Sequence, residues 1–118
     1  MTAQLVGTWV SVCRFDNLLA ERGVAALVGD EQVAVFRTFG GMLHAIGNQD
    51  PFTGAFVLSR GIVGSSGDAP TVASPLFKQA FDLRTGQCVS DPTVSVPVHE
   101  VRCRDGAVEV RLRHPDPS

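Results

Sequence analysis

Short segments rich in Val, Phe, Thr and Ile follow one another along the chain, and Gly, Pro, Asp or Asn interrupts them about every eight to twelve residues. This pattern is typical of an all-β protein, because alternation of apolar and polar residues places every second side chain on one face of a strand. It predicts strands at Thr8–Arg14, Val24–Val28, Gln32–Thr38, Leu43–Gly47, Ile62–Gly64, Thr71–Ala73, Ala80–Leu83, His99–Arg104 and Ala107–Arg113. The segment Asp16–Arg22 is compatible with one short helical turn.

The last two predicted strands should form a hairpin around Asp105-Gly106. This dipeptide favours a two-residue type I′ turn, because both central residues need positive φ. One face then carries the pairs Cys103–Val108, Val101–Val110 and His99–Leu112. The other face carries the charge pairs Arg102–Glu109 and Glu100–Arg111. Opposite charges across a ladder stabilise it by a few tenths of a kcal/mol per pair, so a half-buried hairpin is predicted.

A second tight turn is predicted at Gly40-Gly41, between Val33–Phe39 and Met42–Gly47. This turn places His44 opposite Arg37, which indicates a histidine on the strand surface rather than a metal ligand. The tail from His114 to Ser118 contains two prolines, which lack the amide donor of a ladder, and we expect it to fray.

Length and composition limit the chain to one small domain. Its 118 residues predict a single domain over 1–118, with a core at about 8–113 and flexible ends. The 44% hydrophobic and 19% charged residues and the net charge of −2 are ordinary for a globular protein. Near the C-terminus, arginines are interleaved with acidic residues, so no nucleic-acid face is expected.

The chain shows no pattern of export or of membrane insertion. Its start has no basic residues followed by an apolar run, and no window approaches the roughly 18 apolar residues of a membrane span. We therefore expect a cytoplasmic protein. The three cysteines, Cys13, Cys88 and Cys103, have no short metal-binding spacing, and we interpret them as buried, reduced thiols on strands.

Two turn-rich segments have the shape of metal-binding loops without metal ligands. The first is Asn48-Gln49-Asp50-Pro51-Phe52-Thr53-Gly54, and the second is Ser74-Pro75-Leu76-Phe77-Lys78-Gln79. Together with Leu58–Gly64 and Phe81–Gly86, they resemble the bacterial Rieske ferredoxins in nearly the whole chain, from about Trp9 to Leu112. The resemblance implies a Rieske-like fold of stacked small antiparallel sheets, in which a Cys-x-His loop and a Cys-x-x-His loop hold a [2Fe–2S] cluster.

The residues at the ligand positions depart from that pattern. The cysteine positions fall on Asp50 and Ser74, and the histidine positions fall on Phe52 and Phe77. A Rieske centre needs two thiolates on one iron and two imidazoles on the other, and phenylalanine has no lone pair to donate. We therefore expect no iron–sulfur cluster and no metal in this chain.

One branch of the Rieske-like proteins has this substitution pattern: the small subunits of NAD(P)H-dependent assimilatory nitrite reductases. The segment Asp91-Pro92-Thr93-Val94-Ser95-Val96-Pro97-Val98 is also similar to that branch. The resemblance implies an accessory chain of a cytoplasmic enzyme that reduces nitrite to ammonium. It also implies that the large subunit is the partner and holds the FAD, an iron–sulfur cluster and the sirohaem, with no cofactor in this chain.

No independent catalytic centre is indicated by the residues themselves. Arg60-Gly61-Ile62-Val63-Gly64 lacks the strand–turn–helix context of a nucleotide-binding fingerprint, and no G-x-S-x-G motif is present. The alternative function is a stand-alone Rieske-like module for electron transfer or for regulatory binding.

The sequence is compatible with two interpretations of the loops. Phe52 and Phe77 could fill the volume of the absent cluster, with a gain of about 1.5–3 kcal/mol per buried ring. Asp50 would then cap its own turn, and Ser74 would bond its own loop. Alternatively, this end of the molecule docks a partner, with an apolar centre and a polar rim. The candidate docking residues are Pro51, Phe52, Leu76, Phe77, Lys78 and Arg60.

Overall fold

The computed structural model describes residues 8–38 and 40–113. Its strands are β1 Val10–Arg14, β2 Arg22–Val28, β3 Glu31–Arg37, β4 Leu43–Gly47, β5 Ile62–Ser66, β6 Ala69–Ala73, β7 Ala80–Asp82, β8 Val98–Arg104 and β9 Ala107–Arg111. Two 3-10 turns occur at Phe15–Asn17 and Leu58–Arg60. Each predicted strand is present, with ends that differ by a few residues. The predicted helical turn is shorter than Asp16–Arg22 and begins one residue earlier, and the predicted frayed tail lies outside the described residues.

The strands form two antiparallel sheets. The larger sheet has the order β1-β9-β8-β4-β3-β2, and the smaller sheet has the order β5-β6-β7. The smaller sheet is inserted in the chain between β4 and β8. The first loop, residues 48–54, follows β4, and the second loop, residues 74–79, joins β6 to β7.

Strand β3 separates two apolar cores. Ala34 and Phe36 pack into a cluster shared with the small sheet, which includes Val72 and Phe81. Val33 and Val35, on the opposite face, pack into a second cluster that includes Val108, Val110 and Leu112. Successive side chains of a strand point to opposite faces, so a strand that is covered on both sides becomes a continuous apolar run.

The last hairpin has the predicted register. Asp105 and Gly106 have φ values of 53° and 81°, as a type I′ turn requires. Val101 pairs with Val110 and Cys103 with Val108, while the charge pairs Arg102–Glu109 and Glu100–Arg111 lie directly across the ladder. The Trp9 ring covers both guanidinium groups, at 3.9 Å from Arg102 and 4.7 Å from Arg111.

The predicted register of the β3–β4 hairpin is wrong. His44 pairs with Phe36, and Arg37 pairs with Leu43. The connection is one residue longer than the predicted two-residue turn. The Thr38 N–H donates to the Met42 carbonyl, and the Gly41 N–H donates to the Thr38 carbonyl. A shift of one residue changes the face of every side chain. His44 is therefore half-buried beside the small sheet, where burial lowers its pKa and it bonds the backbone of Leu83.

The three cysteines are free thiols, but only Cys88 is buried, contrary to the interpretation of all three as buried. Cys13 and Cys103 flank the same residue, Val108, from two different strands. They are therefore about 9–10 Å apart, too far for a disulfide. In the part of the chain that the structure describes, no helix is long and apolar enough to cross a membrane.

Candidate functional site

The first and second loops are joined by a buried hydrogen bond between their side chains. The Ser74 hydroxyl donates to Oδ2 of Asp50 at 2.6 Å. Asp50 is 0% exposed and Ser74 is 1% exposed. The two residues that occupy the cysteine positions of the Rieske pattern are thus in direct contact.

Each of these side chains also organises its own loop. Oδ1 of Asp50 accepts the Phe52 N–H at 2.8 Å, which confirms Asp50 as a turn cap. Oγ of Ser74 accepts the Leu76 N–H at 3.1 Å, which confirms the predicted bond within its loop. The backbones close both loops, through Asp50 N–H to the Ala55 carbonyl and Ser74 N–H to the Gln79 carbonyl.

Asn48 fixes the root of the first loop from inside the protein. Its side chain is buried and donates to Oε1 of Gln32 and to the Phe56 carbonyl, both at 3.2 Å. Its Oδ1 accepts the Ser59 N–H at 2.8 Å. The first loop is therefore tied both to β3 and to the 3-10 turn that leads into the small sheet.

The tip of the second loop is a left-handed turn built from two residues that are not glycine. Phe77 and Lys78 have φ values of 61° and 59°. Left-handed backbone costs an ordinary residue about 1–2 kcal/mol, because Cβ crowds the following carbonyl oxygen. The turn directs the Phe77 ring outward, and 81% of this residue is exposed.

The packing interpretation of the two phenylalanines is wrong for Phe77. Its exposed ring fills no internal volume. Phe52 packs partly inward, with its ring centroid 6.2 Å from that of the core residue Phe81, and it remains 42% exposed. Neither ring is fully buried, so both contribute apolar surface at this end of the molecule.

We define the tip surface as the six residues predicted from the sequence: Pro51, Phe52, Leu76, Phe77, Lys78 and Arg60. All six are exposed. The Asp50–Ser74 bond brings the two loops together, and the pairing of Ile62 with Ala73 places Arg60 near the start of the second loop. The six residues therefore lie at one end of the molecule.

Sequence reasoning missed Phe56, which is half exposed at the far side of the first loop. It lines a groove of about 410 Å³ together with Pro51, Gln49, Pro97 and the carboxylates Asp30 and Glu31. The sequence signal for Phe56 was that it is an aromatic residue beside a turn-rich segment. The groove borders the tip surface at Pro51.

Comparisons with known proteins place this fold in a family. Residues 8–111 match the family model described as the Rieske-like [2Fe-2S] domain. The nitrite reductase (NADH) small subunit of Escherichia coli strain K12 is 46% identical over 104 residues, which cover 87% of this chain and 96% of that protein. The NMR structure of the E. coli protein NirD matches with a TM-score of 0.82 and 46% identity, covering 88% of this chain and 96% of that chain.

A further relative carries the same domain inside a longer chain. The nitrite reductase [NAD(P)H] large subunit of Klebsiella oxytoca is 37% identical over 102 residues. The match covers 86% of this chain and 11% of that protein.

The family description includes a [2Fe–2S] cluster, and the residues of this chain do not fit one. Asp50 and Ser74 supply no thiolate and are hydrogen-bonded to each other, and Phe52 and Phe77 supply no donor atom. Across residues 8–38 and 40–113, no group of three or more His, Cys, Asp and Glu side chains is placed to hold a metal ion. In its sequence and its fold, the chain belongs to the Rieske-like domain family and, within it, to the small subunits of NADH-dependent nitrite reductase.

Proposed function

We propose that the chain is a cluster-free small subunit that docks through the tip surface onto the large subunit of an NAD(P)H-dependent nitrite reductase in the cytoplasm. It contributes to the reduction of nitrite to ammonium by supporting the large subunit, and it has no catalytic centre of its own. The observation that carries the docking proposal is the exposed Phe77 ring on a left-handed turn.

Both the backbone and the ring of Phe77 are in an unfavourable state in the isolated chain. The left-handed φ is costly for phenylalanine, and its ring is left in water. Such strain is concentrated at active sites, ligand clamps and switch regions. Burial of the ring in a partner would recover the apolar contribution, and aromatic residues are enriched among those that dominate binding energy.

The remaining tip residues have the composition of an interface. Phe52, Leu76 and Pro51 supply apolar area beside Phe77, and Lys78 and Arg60 supply cationic groups at the margin. Interfaces commonly have an apolar centre and a polar rim. The groove beside Pro51 adds a concave feature at the margin of the tip surface.

The Klebsiella relative supports the choice of partner. There, a domain similar to this chain is part of a large-subunit polypeptide, whereas the nitrite reductase small subunit of E. coli strain K12 is matched over 96% of its own length. Covalent connection keeps a domain near its neighbour, but a separate chain needs a binding surface of its own. In this proposal the FAD, the iron–sulfur cluster and the sirohaem belong to the large subunit.

The test is the rate of nitrite-dependent NAD(P)H oxidation by the large subunit with and without this chain. We expect the chain to raise the rate or the lifetime of the activity, and we expect Phe52→Ser and Phe77→Ser to lower the affinity of the two subunits about ten-fold. Met42→Ser is the control, because Met42 is 64% exposed and precedes β4, at the opposite end of that strand from the first loop. Equal affinity of the phenylalanine variants and the wild type would contradict docking through the tip surface.

An iron assay separates this proposal from an electron carrier. The chain should remain colourless and free of iron after incubation with iron and sulfide under reducing conditions, because its loops lack thiolate and imidazole donors. A coloured product with iron bound at the loops would favour the electron-transfer alternative.

A further inference from the structure

We propose that the Asp50–Ser74 hydrogen bond holds the two loops together, as a metal cluster does in Rieske proteins. We also propose that this bond positions the tip surface for docking. The inference rests on the proposed function for its docking part. Its structural part concerns this chain alone and is tested separately.

The positions of the two residues correspond to those of cluster ligands. They occupy the two sites where the Rieske pattern has cysteines, and those thiolates bind the same iron. Residues 50 and 74 would therefore be adjacent around a cluster, and here they are adjacent without one, with oxygen atoms 2.6 Å apart. The bond spans 24 residues of chain and joins the first loop to the second loop.

The hydrogen bonds are also continuous across the two loops. The Phe52 N–H donates to Asp50, Ser74 donates to Asp50, and the Leu76 N–H donates to Ser74. Each side chain thus makes one bond across the gap and one bond back to its own loop. The amides at the two ends belong to Phe52 and Leu76, which are both members of the tip surface. Leu76 directly precedes Phe77.

Burial makes this connection stronger than its single cross-loop bond suggests. A hydrogen bond to a carboxylate is roughly twice as strong as a neutral one, and it is electrostatically stronger where water is excluded. Asp50 and Ser74 are almost inaccessible to water, so removal of either partner leaves a buried polar group unsatisfied. The loops would then separate to admit water.

The structural part is tested by amide hydrogen exchange of the isolated chain. In Ser74→Ala we expect exchange at Phe52, in the other loop, to accelerate at least about ten-fold together with exchange at Leu76. A purely local role of Ser74 would accelerate Leu76 and leave Phe52 unchanged. Ser74→Thr retains the hydroxyl and should restore protection at Phe52.

Thr53→Ala is the matched control for hydroxyl removal. The Thr53 hydroxyl accepts the Ala55 N–H at 3.2 Å within the first loop and is not part of the cross-loop connection. Thr53→Ala should therefore leave amide exchange at Leu76 at the wild-type rate. An equal response at Leu76 in Thr53→Ala and Ser74→Ala would overturn the inference, because general loosening would then explain both.

The docking part is tested by the affinity of the same variants for the large subunit. We expect Ser74→Ala to bind about five-fold to ten-fold more weakly and Ser74→Thr to bind like the wild type, although the hydroxyl itself is buried and cannot touch a partner. Accelerated exchange with unchanged affinity would overturn the positioning role. Unchanged affinity in Phe77→Ser would instead overturn the proposed function, while leaving the cross-loop connection in place.

Discussion

Gly86 lies directly against the backbone of Val96. The Val96 N–H donates to the Gly86 carbonyl at 2.8 Å, and a Cβ atom on residue 86 would overlap the Val96 carbonyl oxygen. Gly86 also has a φ of 79° and closes the turn after β7 through its N–H bond to the Asp82 carbonyl at 2.7 Å. The contact joins the small sheet to the segment that leads into β8.

We expect Gly86→Ala to lower the free energy of unfolding by about 2 kcal/mol or more, because it adds a backbone collision to the cost of a left-handed alanine. Gly29→Ala is the control, since Gly29 has a similar φ of 62° but nothing within 4 Å of an added Cβ. Only the conformational cost of about 1 kcal/mol applies there. Urea unfolding measures both, and equal losses would contradict the collision.

Phe77→Asn should raise the free energy of unfolding by about 0.5–1 kcal/mol, because asparagine tolerates left-handed backbone and the lost ring is exposed. The same variant should bind the large subunit more weakly. Lys78→Asn is the control, since it relieves the same strain at φ 59° and keeps the ring. It should gain similar stability and lose much less affinity; loss of stability in Phe77→Asn would show that the turn is unstrained.

Glu100 should make stability depend on pH. The hydrogen bond from Arg111, aided by the charges of Arg111 and Arg113, lowers the pKa of Glu100 below its ordinary value of 4.5. A carboxyl group whose pKa is lower in the folded state stabilises the protein at pH values above its unfolded-state pKa. This stabilisation is lost as the pH falls through the folded-state pKa. Glu100→Gln should therefore be less stable than the wild type at about pH 6, with the difference closing towards about pH 3.

Urea unfolding across this pH range measures the effect of Glu100. Asp30→Asn is the matched control, since Asp30 makes no ion pair in the described part of the chain. Its difference from the wild type should not close in the same way. A constant difference between Glu100→Gln and the wild type at all pH values would contradict a stabilising ion pair at this position.

Asn48→Ala should cost about 2 kcal/mol, because it leaves the buried N–H of Ser59 without its acceptor and removes two donor bonds. Gln49→Ala removes an exposed side chain with one bond, at 3.1 Å to the Gly54 carbonyl, and should cost less than about 0.5 kcal/mol. Thermal or urea unfolding compares the two. Similar losses would indicate that Asn48 does not fix the loop root.

Local chemistry explains which parts of the fold were predictable. The β8–β9 register follows from Asp105-Gly106 and the charge pairs beside it, because turn type and cross-strand pairing act within a few residues. The β3–β4 register was missed by one residue, because adjacent glycines are compatible with more than one connection length. The burial of β3 on both faces depends on the small sheet, whose strands lie after β4 in the sequence.

The sequence by itself determined the all-β class, the strand positions, the resemblance to Rieske-like proteins and the absence of cluster donors at residues 50, 52, 74 and 77. These properties depend on residue type and on short-range pattern. Only the tertiary structure decided that Asp50 bonds Ser74 and that Phe77 points into solvent. The first depends on the approach of two loops distant in sequence, and the second on a positive φ that phenylalanine does not favour by itself.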